Sequence, residues 1–114
     1  MPIEIRVDQQ LGVVRSTVTG SLSAEDYLAH GARILATPNL PTPYREIFDT
    51  SEVGEMSIGL AEIGEHTAPP SAEIFASILP ARIGVIACTD VSYGLARMFQ
   101  AFGAQIGFIV GVFR

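Results

Sequence analysis

The spacing of apolar residues changes period along the chain in an order that leaves few folds open. Residues 3–8, Ile3-Glu4-Ile5-Arg6-Val7-Asp8, alternate apolar with charged, the repeat of a half-buried strand. Gln9 and Gln10 make a short turn, and residues 11–19 read as a second, β-branched strand, so the chain opens on an antiparallel hairpin. Gly20-Ser21-Leu22 breaks that pattern. Ser23 stands three residues before Asp26, placing a serine oxygen where it can take up a first-turn amide, and Glu25 and Asp26 suit the positive end of a helix dipole. Tyr27, Leu28, Gly31, Ile34 and Leu35 then follow at helical spacing, which predicts an amphipathic helix over 24–36. Pro38, Pro41 and Pro43 end it.

Residues 44–49 read as a third strand. A helix lying between two strands implies a crossover connection and a parallel pair. Residues 51–57 read as a loop, 58–66 as a helix weakened by Gly59 and Gly64, and Pro69-Pro70 as its break. Ser71 is expected to cap a second short helix carrying Ile74, Phe75, Ile78 and Leu79, stopped by Pro80. Residues 83–88, Ile83-Gly84-Val85-Ile86-Ala87-Cys88, form a continuous small-apolar run, the mark of a strand buried on both faces. Thr89-Asp90 opens a helix with Leu95, Met98, Phe99 and Phe102 on one side, and 108–113 closes the chain as a strand. Strand-strand-helix followed by three more strands separated by helical segments predicts a single α/β domain over 1–114, built on a five-stranded, mostly parallel mixed sheet.

Composition excludes functions more readily than it supplies one. The chain's 114 residues carry seven cations, all arginine, against twelve acids, for a net charge of −5. Without lysine there is no Schiff-base chemistry and no P-loop lysine, and an acidic chain is unsuited to nucleic-acid phosphates. The arginines are spread singly over the predicted elements, so no basic cluster is expected. No apolar run reaches the ~18 residues of a membrane helix, and the N-terminus lacks a signal-peptide pattern. The single cysteine, Cys88, fits a reducing cytoplasm.

Several local strings occur in the order of a known family. They are Gly20-Ser21-Leu22-Ser23-Ala24-Glu25-Asp26-Tyr27, Phe48-Asp49-Thr50-Ser51-Glu52-Val53, Asp90-Val91-Ser92-Tyr93-Gly94-Leu95-Ala96-Arg97-Met98-Phe99, and Val110-Gly111-Val112-Phe113-Arg114. Over nearly its whole length the chain resembles the SpoIIAA-like group, bacterial domains related to the STAS superfamily of anti-sigma-factor antagonists, whose fold is close to the lipid-binding CRAL-TRIO domains. The resemblance implies a non-catalytic regulatory or interaction domain. It also implies a native chain that continues into an acidic C-terminal helix beyond Arg114. In the antagonists a serine in an Asp-Ser-x-Gly-Leu stretch is phosphorylated; here the stretch falls on Met56-Ser57-Ile58-Gly59-Leu60, with Met56 in place of the aspartate. Ser57 is therefore the candidate phosphoacceptor, with helix capping as its simpler role.

Other candidates come from the residues themselves. Asp90, Ser92, Tyr93 and Arg97 sit at the start of the last helix, where they form a candidate anion site or interface, with Tyr93 and Arg97 one turn apart. Met56, Ile58, Leu60 and Phe75 belong to an apolar surplus that lines a candidate pocket or packs as ordinary core. His30, His66 and Cys88 lack metal-ligand spacing, and Cys88, ending an apolar strand, reads as a small hydrophobe unless it meets His66 in space. Asp49, with Glu52, Glu55, Glu62 and Glu65 nearby, offers carboxylates for acid–base work, or a side chain that bonds the amides of Ser51 and Glu52. No glycine-rich nucleotide signature is present, so no metal or cofactor is expected. The leading expectation is a regulatory interaction domain, a homodimer with a regulatory protein partner. The alternative is a binding module for a small apolar or lipid-like molecule, and the third reading is an enzyme using Cys88 or the glutamates.

Overall fold

The computed structural model describes residues 2–114 except Ala68, with the side chains of Leu60, His66, Pro69, Pro70 and Ser71 outside the description. Strands β1 (Ile3–Asp8) and β2 (Val13–Ser23) form the opening hairpin, in register from Ile3↔Val18 to Asp8↔Val13. Helix α1 (Ala24–Leu35) leads to β3 (Arg45–Ser57). Helices α2 (Leu60–His66) and α3 (Pro69–Ile74) and a single 3₁₀ turn at Ala76–Ile78 lead to β4 (Ala81–Ile86). Helix α4 (Asp90–Gly103) then precedes β5 (Phe108–Phe113). The sheet order is β1-β2-β3-β4-β5, antiparallel at the hairpin and parallel thereafter. The predicted α/β class, the five mixed strands and the parallel crossovers are all present.

Because the strand order simply follows the chain, every crossover steps in the same direction. Crossovers of one hand then carry their helices to the same face. The opposite face is left open, and β4 alternates accordingly: Ala81, Ile83 and Val85 are buried while Arg82 is exposed. The strand at 83–88 is therefore not buried on both faces. Gly84 and Ile86 are apolar residues of the open face, and an apolar residue on a solvated face erases the alternation that would reveal it. Cys88 lies beyond the end of β4 and is exposed, so it is not a buried hydrophobe.

The same topology overturns the expectation of scattered cations. Four of the seven arginines, Arg6, Arg15, Arg45 and Arg82, are exposed in the outward phase of their strands. Arg6 stands directly across from Arg15, and Arg45 directly across from Arg82. Residues far apart in sequence become neighbours through strand register, a relation that charge spacing along the chain does not carry. Glu4, paired with Arg6, and the half-buried Asp8 and Asp49 share the face, as do the exposed Ile109 and Phe113.

Two further boundaries differ from expectation for one reason. Gly20 does not end β2, and 51–57 is not a loop. The two strands continue together as a parallel ribbon past the end of β4, through Thr19↔Glu52 and Leu22↔Met56 to Ser23↔Ser57. Register shifts near Gly20, whose φ of +73° a glycine adopts without strain, take up the irregularity. On its inner side the ribbon buries Leu22 with Ile3 and Val18, and the partly buried Val53, Met56 and Ile58 pack against that cluster.

Helix α1 starts as the sequence predicts. The Ser23 hydroxyl accepts from the Asp26 amide at 3.1 Å. Helix α2 starts at Leu60, with Gly59 before it and the Glu62 carboxylate accepting from the Gly59 amide at 3.2 Å. Ser57 is thus the last residue of β3 and not a helix cap. Helix α3 begins at Pro69, two residues before the expected capping serine, Ser71, whose side chain lies outside the described residues.

Candidate functional site

Between the helices and the covered face of the sheet lies a cavity of about 90 Å³. Its position follows from residue size. The buried residues of α1 are His30, Gly31 and Ile34, and those of α4 are Ser92, Ala96 and Gly103. The predicted stripe of Leu95, Met98, Phe99 and Phe102 is only partly buried, because α4 turns its small residues to the sheet. At Gly103 a Cβ would lie 3.0 Å from that of Phe108, so α4 packs tightly against β5 there. Further along, Gly31 and Ala96 both line the cavity and bring almost no side chain to fill it. Protein interiors are otherwise close-packed, which makes a void of several water volumes a specific feature of this core.

One wall is polar, and none of its residues stood out as a group in the sequence. In β3, Glu46 takes the inward phase between Tyr44 and Phe48 and is 6% exposed. Its carboxylate accepts three hydrogen bonds: from the Ser16 hydroxyl at 2.8 Å, from the Tyr44 hydroxyl at 2.6 Å, and from His30 Nε2 at 2.8 Å. Ser16 is fully buried on β2, and His30 is 9% exposed on α1, its ring edge-on to Phe48 at 5.1 Å between centroids.

The electrostatics of this group decide what it can do. Burial alone would push the Glu46 carboxyl up. The hydrogen bond and charge of His30, then the hydroxyls of Tyr44 and Ser16, outweigh burial and hold it below the ordinary carboxylate value. The carboxylate is therefore ionised in the core. Tyr44 moves the other way: burial first, then the negative charge and hydrogen bond of Glu46, keep its hydroxyl protonated far above neutral pH. Burial likewise raises Tyr27, another residue of the cavity wall. An ionised carboxylate can only accept, so the proton shared with His30 sits on Nε2. The other ring nitrogen, Nδ1, is buried and has no hydrogen-bond partner among the described residues.

The residues singled out from the sequence fall in different places. Met56, Ile58 and Phe75 all line the cavity, while the side chain of Leu60 lies outside the described residues. Ser57 is exposed at the end of β3. The set at the start of α4 does not act as a unit. The Ser92 hydroxyl is taken up by Thr89 in a reciprocal cap, and Asp90 bonds Arg114 at 2.6 Å. Tyr93 stacks under the Arg114 guanidinium at 4.6 Å, so its cation is Arg114 and not Arg97. Asp49 accepts from the Ser51 amide at 2.8 Å, the local turn-type bond anticipated for it. A Cys88–His66 pair falls partly outside the described residues, since the His66 side chain does. Among the described residues no three histidines, cysteines or acids converge as a metal group, and no helix is long and apolar enough to cross a membrane.

No family model and no curated protein matches the chain. Among solved structures it is similar to an uncharacterised protein of the DUF3478 family with a SpoIIAA-like fold, from Shewanella loihica PV-4. The two are 18% identical, with a TM-score of 0.54, over 98% of this chain and 84% of that one. The chain thus has the SpoIIAA-like fold that its sequence strings implied.

Proposed function

We propose that this chain is a non-catalytic binding module that takes a small, mostly apolar molecule into the cavity beneath its sheet. The observation that carries this reading is the cavity itself, an apolar space set against one buried polar wall. Ligand sites are commonly built that way, from an apolar surround with a few fixed polar groups. The non-catalytic part rests on the chemistry of the candidates: Glu46 is tied down by three hydrogen bonds, and the exposed Cys88 is not part of the cavity wall. Xenon is a suitable probe, since it is smaller than benzene and a cavity of about 90 Å³ is below the roughly 150 Å³ that holds benzene. Titration followed by backbone amide NMR is expected to move resonances of α1 and α4 that face the cavity. Ala96→Leu, which inserts three carbons into that space, is expected to weaken binding by roughly tenfold or more.

A second reading follows from the open sheet face. Exposed Ile109 and Phe113 beside four arginines and three acids give that face both apolar area and charges of each sign, as interfaces between copies of one chain require. On this reading the chain is a cytoplasmic regulatory domain that forms a homodimer, the commonest symmetric assembly, with exposed Ser57 as its phosphoacceptor for a protein partner. Light scattering at high protein concentration is expected to return twice the 12.2 kDa chain mass. A strict monomer would remove the dimer.

A further inference from the structure

We infer that the open face of the sheet carries a second binding site, independent of the cavity, that takes a small planar aromatic monoanion. The ligand class is an aryl carboxylate, held between Arg45, Arg82 and the ring of Phe113. The site is a groove across β3, β4 and β5. Strand register places Arg45 beside Arg82 and Arg82 beside Ile109, and in the next row Gly84 beside Gly111. These five residues and Phe113 line the groove. Both arginines are exposed on adjacent strands, and neither has an acidic partner among the described residues. Arg6, by contrast, is paired with Glu4. The other acids of the face are engaged locally: Asp8 accepts from the Leu11 amide at 3.0 Å and Asp49 from the Ser51 amide at 2.8 Å. Like charges directly across from one another repel, so an anion bound at this pair relieves a cost that the fold otherwise bears.

The groove also has a flat apolar side. Gly84 and Gly111 leave the sheet without side chains next to the guanidiniums, and Phe113 leans back towards them. A Cβ at Gly111 would lie 3.1 Å from its ring, and one at Gly84 would lie 3.5 Å from it. The ring therefore lies down along the sheet, yet it is 59% exposed, and Ile109 beside it is 50% exposed. An aryl carboxylate answers both halves of this surface. Its oxygens accept from the guanidinium N–H groups, whose planar forks match a carboxylate, and its ring packs against Phe113 and Ile109. Charge sets the limit at one negative unit. Four arginines against three acids leave this face at a net +1, although the chain as a whole is at −5.

Benzoate is the probe, with benzyl alcohol supplying the ring without the charge and acetate the charge without the ring. Amide NMR titration of the native protein is expected to show saturable benzoate shifts at Gly84, Gly111 and Phe113. Benzyl alcohol and acetate should each bind roughly tenfold more weakly or worse. Arg45→Gln and Arg82→Gln remove charge from an exposed surface. Each should lower benzoate affinity roughly fivefold while leaving the urea midpoint nearly unchanged. Phe113→Ala should lower benzoate affinity by a similar factor and keep acetate affinity within about twofold. Benzyl alcohol binding as well as benzoate, benzoate shifts that persist undiminished in both arginine variants, or no saturable shift at these amides would each overturn the site. If light scattering shows a native dimer that Arg82→Gln dissociates, and benzoate shifts nothing, the arginine pair belongs to a contact between copies and the anion site is overturned. The xenon titration reads the opposite side of the sheet, so the cavity and this groove stand or fall separately.

Discussion

Replacing Glu46 with alanine is expected to cost about 3–5 kcal/mol of folding stability near pH 7, read from urea unfolding. The substitution does more than remove a side chain. It leaves the hydroxyls of Ser16 and Tyr44 and the Nε2–H of His30 in the core without their shared acceptor. Each stranded donor carries a desolvation penalty of about 1–3 kcal/mol, reduced where water can enter the enlarged space. Against stabilities of about 5–15 kcal/mol typical of domains, that loss is a large fraction of the total. The same carboxylate makes stability depend on pH with a definite sign. Because its native pKa lies below the unfolded value, Glu46 contributes stability that is fully present above the unfolded pKa of about 4.3 and is lost as pH falls through the native value. Glu46→Gln, which keeps the volume but not the charge, should flatten that acid limb. A Glu46→Ala protein within about 1 kcal/mol of the native one would show that the buried group is not integral to the fold.

Phe108→Ala should be comparably severe, at about 3–5 kcal/mol, for a different reason. Phe108 is 3% exposed at the start of β5, with ring centroids 5.6 Å from Phe75 and 5.7 Å from Phe99. It packs directly against Gly103 of α4, where even a Cβ would be tight. It also borders the cavity, so truncation should merge its vacated volume with the existing void. The variant should therefore bind benzene and recover stability as benzene is added, by the mass action of a ligand that binds only the folded state. Loss of stability without recovery would mean that α4 collapses onto the sheet and closes the space.

These two residues mark what the sequence discloses and what it conceals. Strand and helix order was legible because period and capping are local: Ser23 with Asp26 and the alternation of residues 3–8 state their structure within a few positions. Glu46 also carries a local signal. It occupies the phase shared by Tyr44 and Phe48, as Ser16 does between Val14 and Val18, and a polar residue in an apolar phase is a buried polar residue if the phase is believed. What no local pattern contains is that these residues meet. Their meeting depends on Val14 standing opposite Glu46 and on α1 delivering His30 to the same point. The open sheet face stayed hidden for a related reason, since Gly84 and Ile86 made β4 look apolar on both sides and register alone assembled the arginines. The extension of β3 to Ser57 was lost at Gly20, a glycine that normally ends strands and here accommodates an irregular pair.

The space between α1, α4 and the sheet is the proposed binding site, and the location of the amide response to xenon tests it directly. Binding there predicts saturable amide shifts concentrated at His30, Gly31 and Ile34 on α1 and around Ala96 on α4, lost in Ala96→Leu. Shifts confined to the exposed Ile109 and Phe113 of the open face, or unchanged in Ala96→Leu, would contradict it.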